Sequence, residues 1–342
     1  MSCILNINRF IIPNDVIVIL TKLYKLVGKN ENLTDIVKSD VDRIVEQTVE
    51  RDSYFLSRIL NLEISDARTR LIITKNSSPR TKEETTLFNI KEMLMLLQQK
   101  YSTIAYQSND TLNMINSIYS HYHDIKFDYA PADKKNLLQS QAMKNKRLLL
   151  DEIIGQMDSL IEKESFEKIT LFLHYFVDFH NISPFVSQNE TAELMLLYLL
   201  ILKADIHCFR YISFFELLYE NYSEFKTELN AASFNWKEGF AQTLGFIRFM
   251  DNLFLKGYKK TFSIIKEYKF DANLNKTNNV ENTISKLPDI FTKDDIRLAH
   301  PYVSESTINR ALIKIRDEGL IKPLGKGRSA KWIRIYKGFN RE

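Results

Sequence analysis

Glycine and proline are scarce in this chain of 342 residues, at nine and seven. With so few turn-formers and helix breakers, tight reversals are rare and helices should dominate. Cysteine is scarcer still. Cys3 and Cys208 form no spaced pattern, which excludes a disulfide framework and implies a reducing compartment. The six histidines are scattered without metal-ligand spacing, so no zinc or other metal site is expected. The longest apolar run, Leu194 to Leu202, has nine residues, far short of the ~20 that cross a bilayer. The opening MSCILNINRFII has no basic stretch ahead of a clean apolar segment, which argues against a secretion signal. These absences point to a cytoplasmic protein with no membrane contact.

What is present is a large apolar fraction, 44% with 12% aromatic, enough for sizeable cores. Helical spacing recurs along the first 270 residues. Val16, Ile19, Leu20, Leu23 and Val27 form one stripe, Ile90, Met93, Leu94 and Leu97 a second, and Leu171, Tyr175 and Phe179 a third. Polar connectors interrupt them at TKNSSPRTKEE (74–84), where Thr81, Lys82 and Glu84 lead into the next helix, and at DYAPADK (128–134). The Asn-rich stretch DANLNKTNNVEN (271–282) reads as a linker.

Charge shifts after that linker. From Asp289 onward there are 12 Lys and Arg against 7 Asp and Glu, while the preceding residues hold 35 against 36. A basic tail on a near-neutral body suggests a small module that meets a polyanion. In the tail, Thr292 opens a helix with Asp295 as its acidic cap partner, and Pro301 breaks the chain. Ser304 opens a second helix with the apolar stripe Ile308, Ala311, Leu312 and Ile315, and Gly319 ends it. Leu320–Leu324 and Lys331–Tyr336 then read as two strands joined by GKGRSA. This order resembles a winged helix-turn-helix domain. In such a domain Ser306, Thr307, Asn309, Arg310 and Lys314 would face the DNA major groove, with Arg310 suited to guanine and Asn309 to adenine. Lys326, Arg328 and Lys331 on the wing would neutralise phosphates. A protein-binding winged helix is the alternative.

The stretch ISPFVSQNET, Ile182 to Thr191, precedes the long apolar helix LMLLYLLILKADI. It resembles the loop of the Fic family, His-Pro-Phe-x-(Asp/Glu)-Gly-Asn-Gly-Arg, whose members transfer a nucleotide monophosphate, usually AMP from ATP, to protein hydroxyls. Phe179, Ile182, Pro184, Phe185 and Asn189 match. TTLFNIKEML and the aromatic stretch RYISFFELLYENYSEFKTELNAASFNWKEGFAQTLGFI are similar to the flanking helices, so the likeness covers about residues 35–265. The chemical positions depart from the pattern. The family's general base is His, and here stands Ser183, whose hydroxyl is too weak a base near neutral pH. Ser187 replaces the acidic metal-binding residue. Gln188 and Glu190 replace two glycines whose amides approach phosphate, and Thr191 replaces the phosphate-clamping Arg. Ser187–Glu190 also fits a capping box at the helix start. His180, one turn earlier, is a minor candidate for the base.

The expected fold is mostly α: a Fic-like helical body over 1–270 with N-terminal helices and a core at about 90–265, a linker over 271–284, and a small winged helix-turn-helix domain, α with a two-stranded β wing, over 285–342. The function it implies is non-catalytic, a DNA-binding regulator whose body serves a homodimer or a protein partner. A Fic-type protein adenylyltransferase with an atypical loop, and a scaffold for protein partners, are the alternatives. No cofactor is expected; ATP and Mg²⁺ enter only with the transferase reading.

Overall fold

Two helices with almost no polar face form the centre of the larger unit. Lys168–Ile182 (α8) and Asn189–Lys203 (α9) are joined by the short loop 183–188. Leu171, Tyr175 and Phe179 on α8, and every residue from Thr191 to Leu202 on α9, are buried. A helix apolar all round must be enclosed, and its neighbours enclose it. Asn14–Val27 (α1) buries Val16, Leu20 and Leu23. Lys82–Lys100 (α5) buries Ile90, Met93, Leu94 and Leu97 and packs on Ser108–Tyr119 (α6) and on α9. Lys146–Glu162 (α7) lies against α8. Thr81 caps α5, accepting from the Glu84 N–H at 3.2 Å.

This computed structural model describes residues 2–37, 40–122, 124–129, 145–273, 280–281, 283–284, 287–299, 303–325 and 330–335. The chain divides into two compact units, Met1–Asn30 with Thr48–Lys260, and Glu31–Gln47 with Thr261–Glu342. These are drawn differently from the domains read in the sequence. The helix Leu244–Asn273 runs past residue 270, and Val280 and Ile284, inside the expected linker, are buried in the smaller unit's core. Their spacing of four is helical, which an Asn-rich composition conceals. Residues 274–279 lie outside the described residues.

Two buried carboxylates tie distant segments of the larger unit together. Asp178 on α8 accepts from Ser2 Oγ (2.7 Å), the Cys3 N–H (2.6 Å), the Ile4 N–H (3.0 Å) and Trp236 Nε1 (2.6 Å). Asp52, on Val41–Ile59 (α3), accepts from Tyr198 Oη on α9 (2.9 Å), Ser213 Oγ (2.6 Å) and the Phe215 N–H (2.9 Å). Four or three donors per carboxylate offset much of the cost of burying it. Burial still raises both pKa values, that of Asp52 to about 7.

The smaller unit contains Lys293–Ala299 (α13), Glu305–Asp317 (α14) and a sheet. The Thr292 cap forms reciprocally: the Thr292 N–H donates to Asp295 Oδ2 (2.7 Å), and the Asp295 N–H to Thr292 Oγ1 (3.2 Å). Ser304 caps α14, and Gly319 follows it at φ 73°. The sheet has three strands rather than the expected two. Ile290–Phe291 (β1) pairs antiparallel with Trp332–Arg334 (β3), which pairs with Ile321–Pro323 (β2). A two-residue strand is too short to show alternation in sequence. Phe291, Ile321 and Trp332 pack with Ile308, Ala311, Leu312 and Ile315 in one core. Pro301 and Tyr336 lie outside the described residues.

Candidate functional site

The turn between α8 and α9 gathers the Fic-like positions. Ser183 ends α8 in the left-handed region, φ 45°. Its hydroxyl donates to the His180 carbonyl at 2.9 Å, and its own carbonyl accepts from Lys146 Nζ at 3.0 Å. Lys146 also pairs with Asp128 at 2.7 Å. Pro184 and Phe185 are buried. A neighbouring segment straps the loop down: the Asp128 N–H donates to the Pro184 carbonyl (2.8 Å) and the Val186 N–H to the Lys126 carbonyl (3.0 Å). This makes an antiparallel bridge between Phe127 and Phe185, with ring centroids 5.5 Å apart.

Asn189 closes the turn from inside. Its Oδ1 accepts from the Phe185 N–H at 2.9 Å and its Nδ2 donates to the Phe185 carbonyl at 2.8 Å. Gln188 is the N-cap of α9, is exposed, and sits at φ 60°, the left-handed region that favours glycine, where the family loop has glycine. The backbone keeps a glycine-like turn without glycine. The expected capping box does not form. Gln188 makes no side-chain cap bond, and the helix starts one residue later than a box led by Ser187 requires. Glu190 instead accepts from Tyr222 Oη at 3.0 Å and lies 3.9 Å from Lys226 Nζ. Ser187 is half-buried.

Thr191 is buried, and its hydroxyl is 2.9 Å from Tyr119 Oη. His180 Nδ1 is 2.7 Å from Glu193 Oε2, pairing the turn before the loop with the turn after it. His174 is a core residue: Nδ1 meets the Thr170 carbonyl (2.8 Å), Nε2 meets Thr243 Oγ1 (3.0 Å), and burial lowers its pKa to about 4.

Sequence reading missed the loop's supports, Lys146, Tyr119, Tyr222 and Glu193. The first three lie at least 32 residues from their partners in the loop and the start of α9, and no local spacing marks them. Glu193, 13 residues from His180, could have been found by noting that α8 and α9 must fold back on each other.

In the smaller unit, Ser306 and Arg310 are exposed and Asn309 is half-buried. Ser306 Oγ lies 2.9 Å from Ser304 Oγ. Thr307, expected to face outward, is turned inward: it is buried, with its hydroxyl 2.9 Å from Ser304 Oγ. It stands one turn before Ala311 on the core stripe, a position a helical count alone could have flagged. Lys314 pairs with Glu281 at 2.6 Å. Lys331 is exposed. Lys326 and Arg328 lie outside the described residues.

No protein-family model matches the sequence, and no curated protein does. Solved structures do. A Fic family protein from Desulfovibrio desulfuricans G20 aligns over 96% of this chain and 98% of its own, with TM-score 0.55 and 12% identity. A Fic domain containing signaling protein from Bacteroides thetaiotaomicron VPI-5482 aligns over 72% of this chain and 98% of its own, also with TM-score 0.55 and 12% identity. At such identity the likeness is one of fold: a helical Fic fold with a small sheet near its C-terminal end. Among the described residues no helix is long and apolar enough to cross a membrane.

Proposed function

Proceeding from the Fic fold, we propose that the protein is a regulator that transfers no nucleotide and binds DNA through its C-terminal unit. The observation that carries the first half is the inward bonding of the loop. Ser183, Asn189 and Thr191, at the positions of the base, the conserved amide and the phosphate clamp, all direct their polar groups to protein partners. ATP with Mg²⁺ does not suit these residues. Ser187 brings no carboxylate to a metal, Thr191 brings no charge to phosphate, and the Glu190 carboxylate at the start of α9 repels a triphosphate. For the second half, the basic tail, the capped helix α14 and exposed Arg310 support a winged helix-turn-helix with α14 in the major groove. Lys326, Arg328 and Lys331 would then meet phosphates.

A second reading is favoured by the His180–Glu193 pair. A carboxylate 2.7 Å from Nδ1 would orient the imidazole and turn Nε2 to proton acceptance. In that reading the protein is an adenylyltransferase with His180 as base. Incubation with labelled ATP, Mg²⁺ and lysate, together with duplex titration of the full chain, separates the two. The regulator reading expects no labelling and salt-dependent duplex binding. Labelling that disappears in His180→Ala establishes the second reading, and absence of duplex binding at low salt removes the DNA half of the first.

A further inference from the structure

The three-stranded sheet has an inner face inside the small unit's core and an outer face of unusual composition. Register assigns the sides. Phe291 pairs with Trp332, and Pro323 pairs with Trp332 from the other edge; Phe291 and Trp332 are buried. Ile290 and Lys322 both pair with Ile333, one residue out of phase, so these three share the opposite face. Leu324, whose N–H donates to the Lys331 carbonyl at 2.7 Å, and Ile335 continue that face. An antiparallel sheet with one face on the core ordinarily turns polar residues outward. Here Ile290 and Leu324 are each 51% exposed and Ile335 is 37% exposed, with Ile333 half-buried between them. Apolar side chains grouped on one exposed face mark a contact surface.

Charge selects the occupant. Lys322 and Lys331 are exposed on this face, and the described residues that share it include no acid. A second copy packed face to face about a two-fold axis would bring lysines against lysines. DNA would leave the Ile and Leu side chains without an apolar counterpart. We infer that the outer sheet face docks an acidic amphipathic segment of a protein partner, with apolar side chains on Ile290, Leu324, Ile333 and Ile335 and carboxylates on Lys322 and Lys331. The inference does not rest on α14 as a DNA reader, but the two share Lys331, which would meet the partner's carboxylates or a phosphate and not both at once.

The test titrates the full chain into a labelled synthetic amphipathic helix with one Leu face and one Glu face, and into its Leu–Lys counterpart. The acidic peptide is expected to bind saturably at about micromolar to tens of micromolar concentration and the basic one at least about tenfold more weakly. Ile290→Glu should abolish binding. Lys322→Glu should shift preference toward the basic peptide by about tenfold while the melting temperature stays unchanged; because Lys322 is exposed, the fold does not depend on it. Equal binding of both peptides, no binding of either, or indifference to Ile290→Glu overturns the inference. So does a dimer in light scattering that Ile290→Glu dissociates, which would make a second copy the occupant. Loss of duplex binding in Ile290→Glu, without peptide binding in the parent chain, would make this a DNA face and overturn it too.

Discussion

Gln188 and Asn189 are adjacent but contribute oppositely to the loop. Gln188 holds φ 60° with an exposed side chain and no cap bond. Gln188→Gly should therefore stabilise the fold by about 1 kcal/mol or leave it unchanged, since the left-handed region disfavours a Cβ. Asn189→Ala removes both side-chain bonds to Phe185 and should cost about 1–3 kcal/mol. Urea unfolding of both variants checks the pair, with amide exchange at Phe185 and Val186 rising only in Asn189→Ala. A destabilised Gln188→Gly would mean that the exposed side chain holds the turn. Asp52 gives a pH dependence. Its carboxyl ionises near 3.8 in the unfolded chain but keeps its proton to about 7 in the fold, because it is buried. Between these values only the unfolded chain sheds the proton. The Asp52 contribution is thus full below pH 4 and falls as pH rises to about 7, by on the order of 4 kcal/mol. His174, depressed from 6.5 to about 4 by burial, works the other way: its contribution is present above 6.5 and lost as pH falls. Comparison with Asp52→Asn isolates the first effect. The stability difference between parent and variant should shrink from pH 4 to pH 7, and a constant difference would contradict the Asp52 assignment.

At the scale of elements, the helix Leu244–Asn273 approaches its neighbour closely at Gly257, where a Cβ would lie 2.9 Å from Phe209 Cζ and 3.1 Å from Cys208 Sγ. Both residues are fully buried, so neither can retreat into solvent. Gly257→Ala is expected to destabilise by about 1–3 kcal/mol in spite of alanine's better helix propensity, measured by chemical unfolding. An unchanged midpoint would show that Phe209 can repack. The helices themselves were largely legible. Long stripes such as Ile90–Met93–Leu94–Leu97 repeat often enough to fix both type and buried face. Caps at Thr81, Thr292 and Ser304 were legible because donor and acceptor lie three residues apart. The supposed cap at Ser187 misled because Asn189 reaches back to Phe185 and starts the helix a residue later, a competition between two local bonds that composition cannot settle. Strand β1 escaped notice because only pairing with β3, some forty residues on, makes it a strand.

For the whole molecule, the proposed function separates into two measurements. ATP with Mg²⁺ should leave the melting temperature unchanged, because stabilisation follows ligand concentration relative to the dissociation constant; a saturable rise at sub-millimolar ATP would count for the transferase. On a preferred duplex, Arg310→Ala should cost about 1–3 kcal/mol and relax specificity, while Lys326→Ala should weaken all duplexes alike and reduce the salt slope by about one. Fluorescence anisotropy of the full chain at several salt concentrations reads both, and insensitivity to either change would favour a protein-binding role for this unit. The turn between α8 and α9 could be located from the sequence, but its supports could not, because Tyr119, Lys146 and Tyr222 reach it from far along the chain. The clamp around Asp178 has a consequence for biosynthesis. Ser2, Cys3 and Ile4 are synthesised well before the carboxylate that receives them, which is made 174 or more residues later, and Trp236 follows by another 58. At the usual pace of translation Ser2, Cys3 and Ile4 wait on the order of ten to fifty seconds for these partners, so the Asp178 clamp can close only after most of the larger unit has been made.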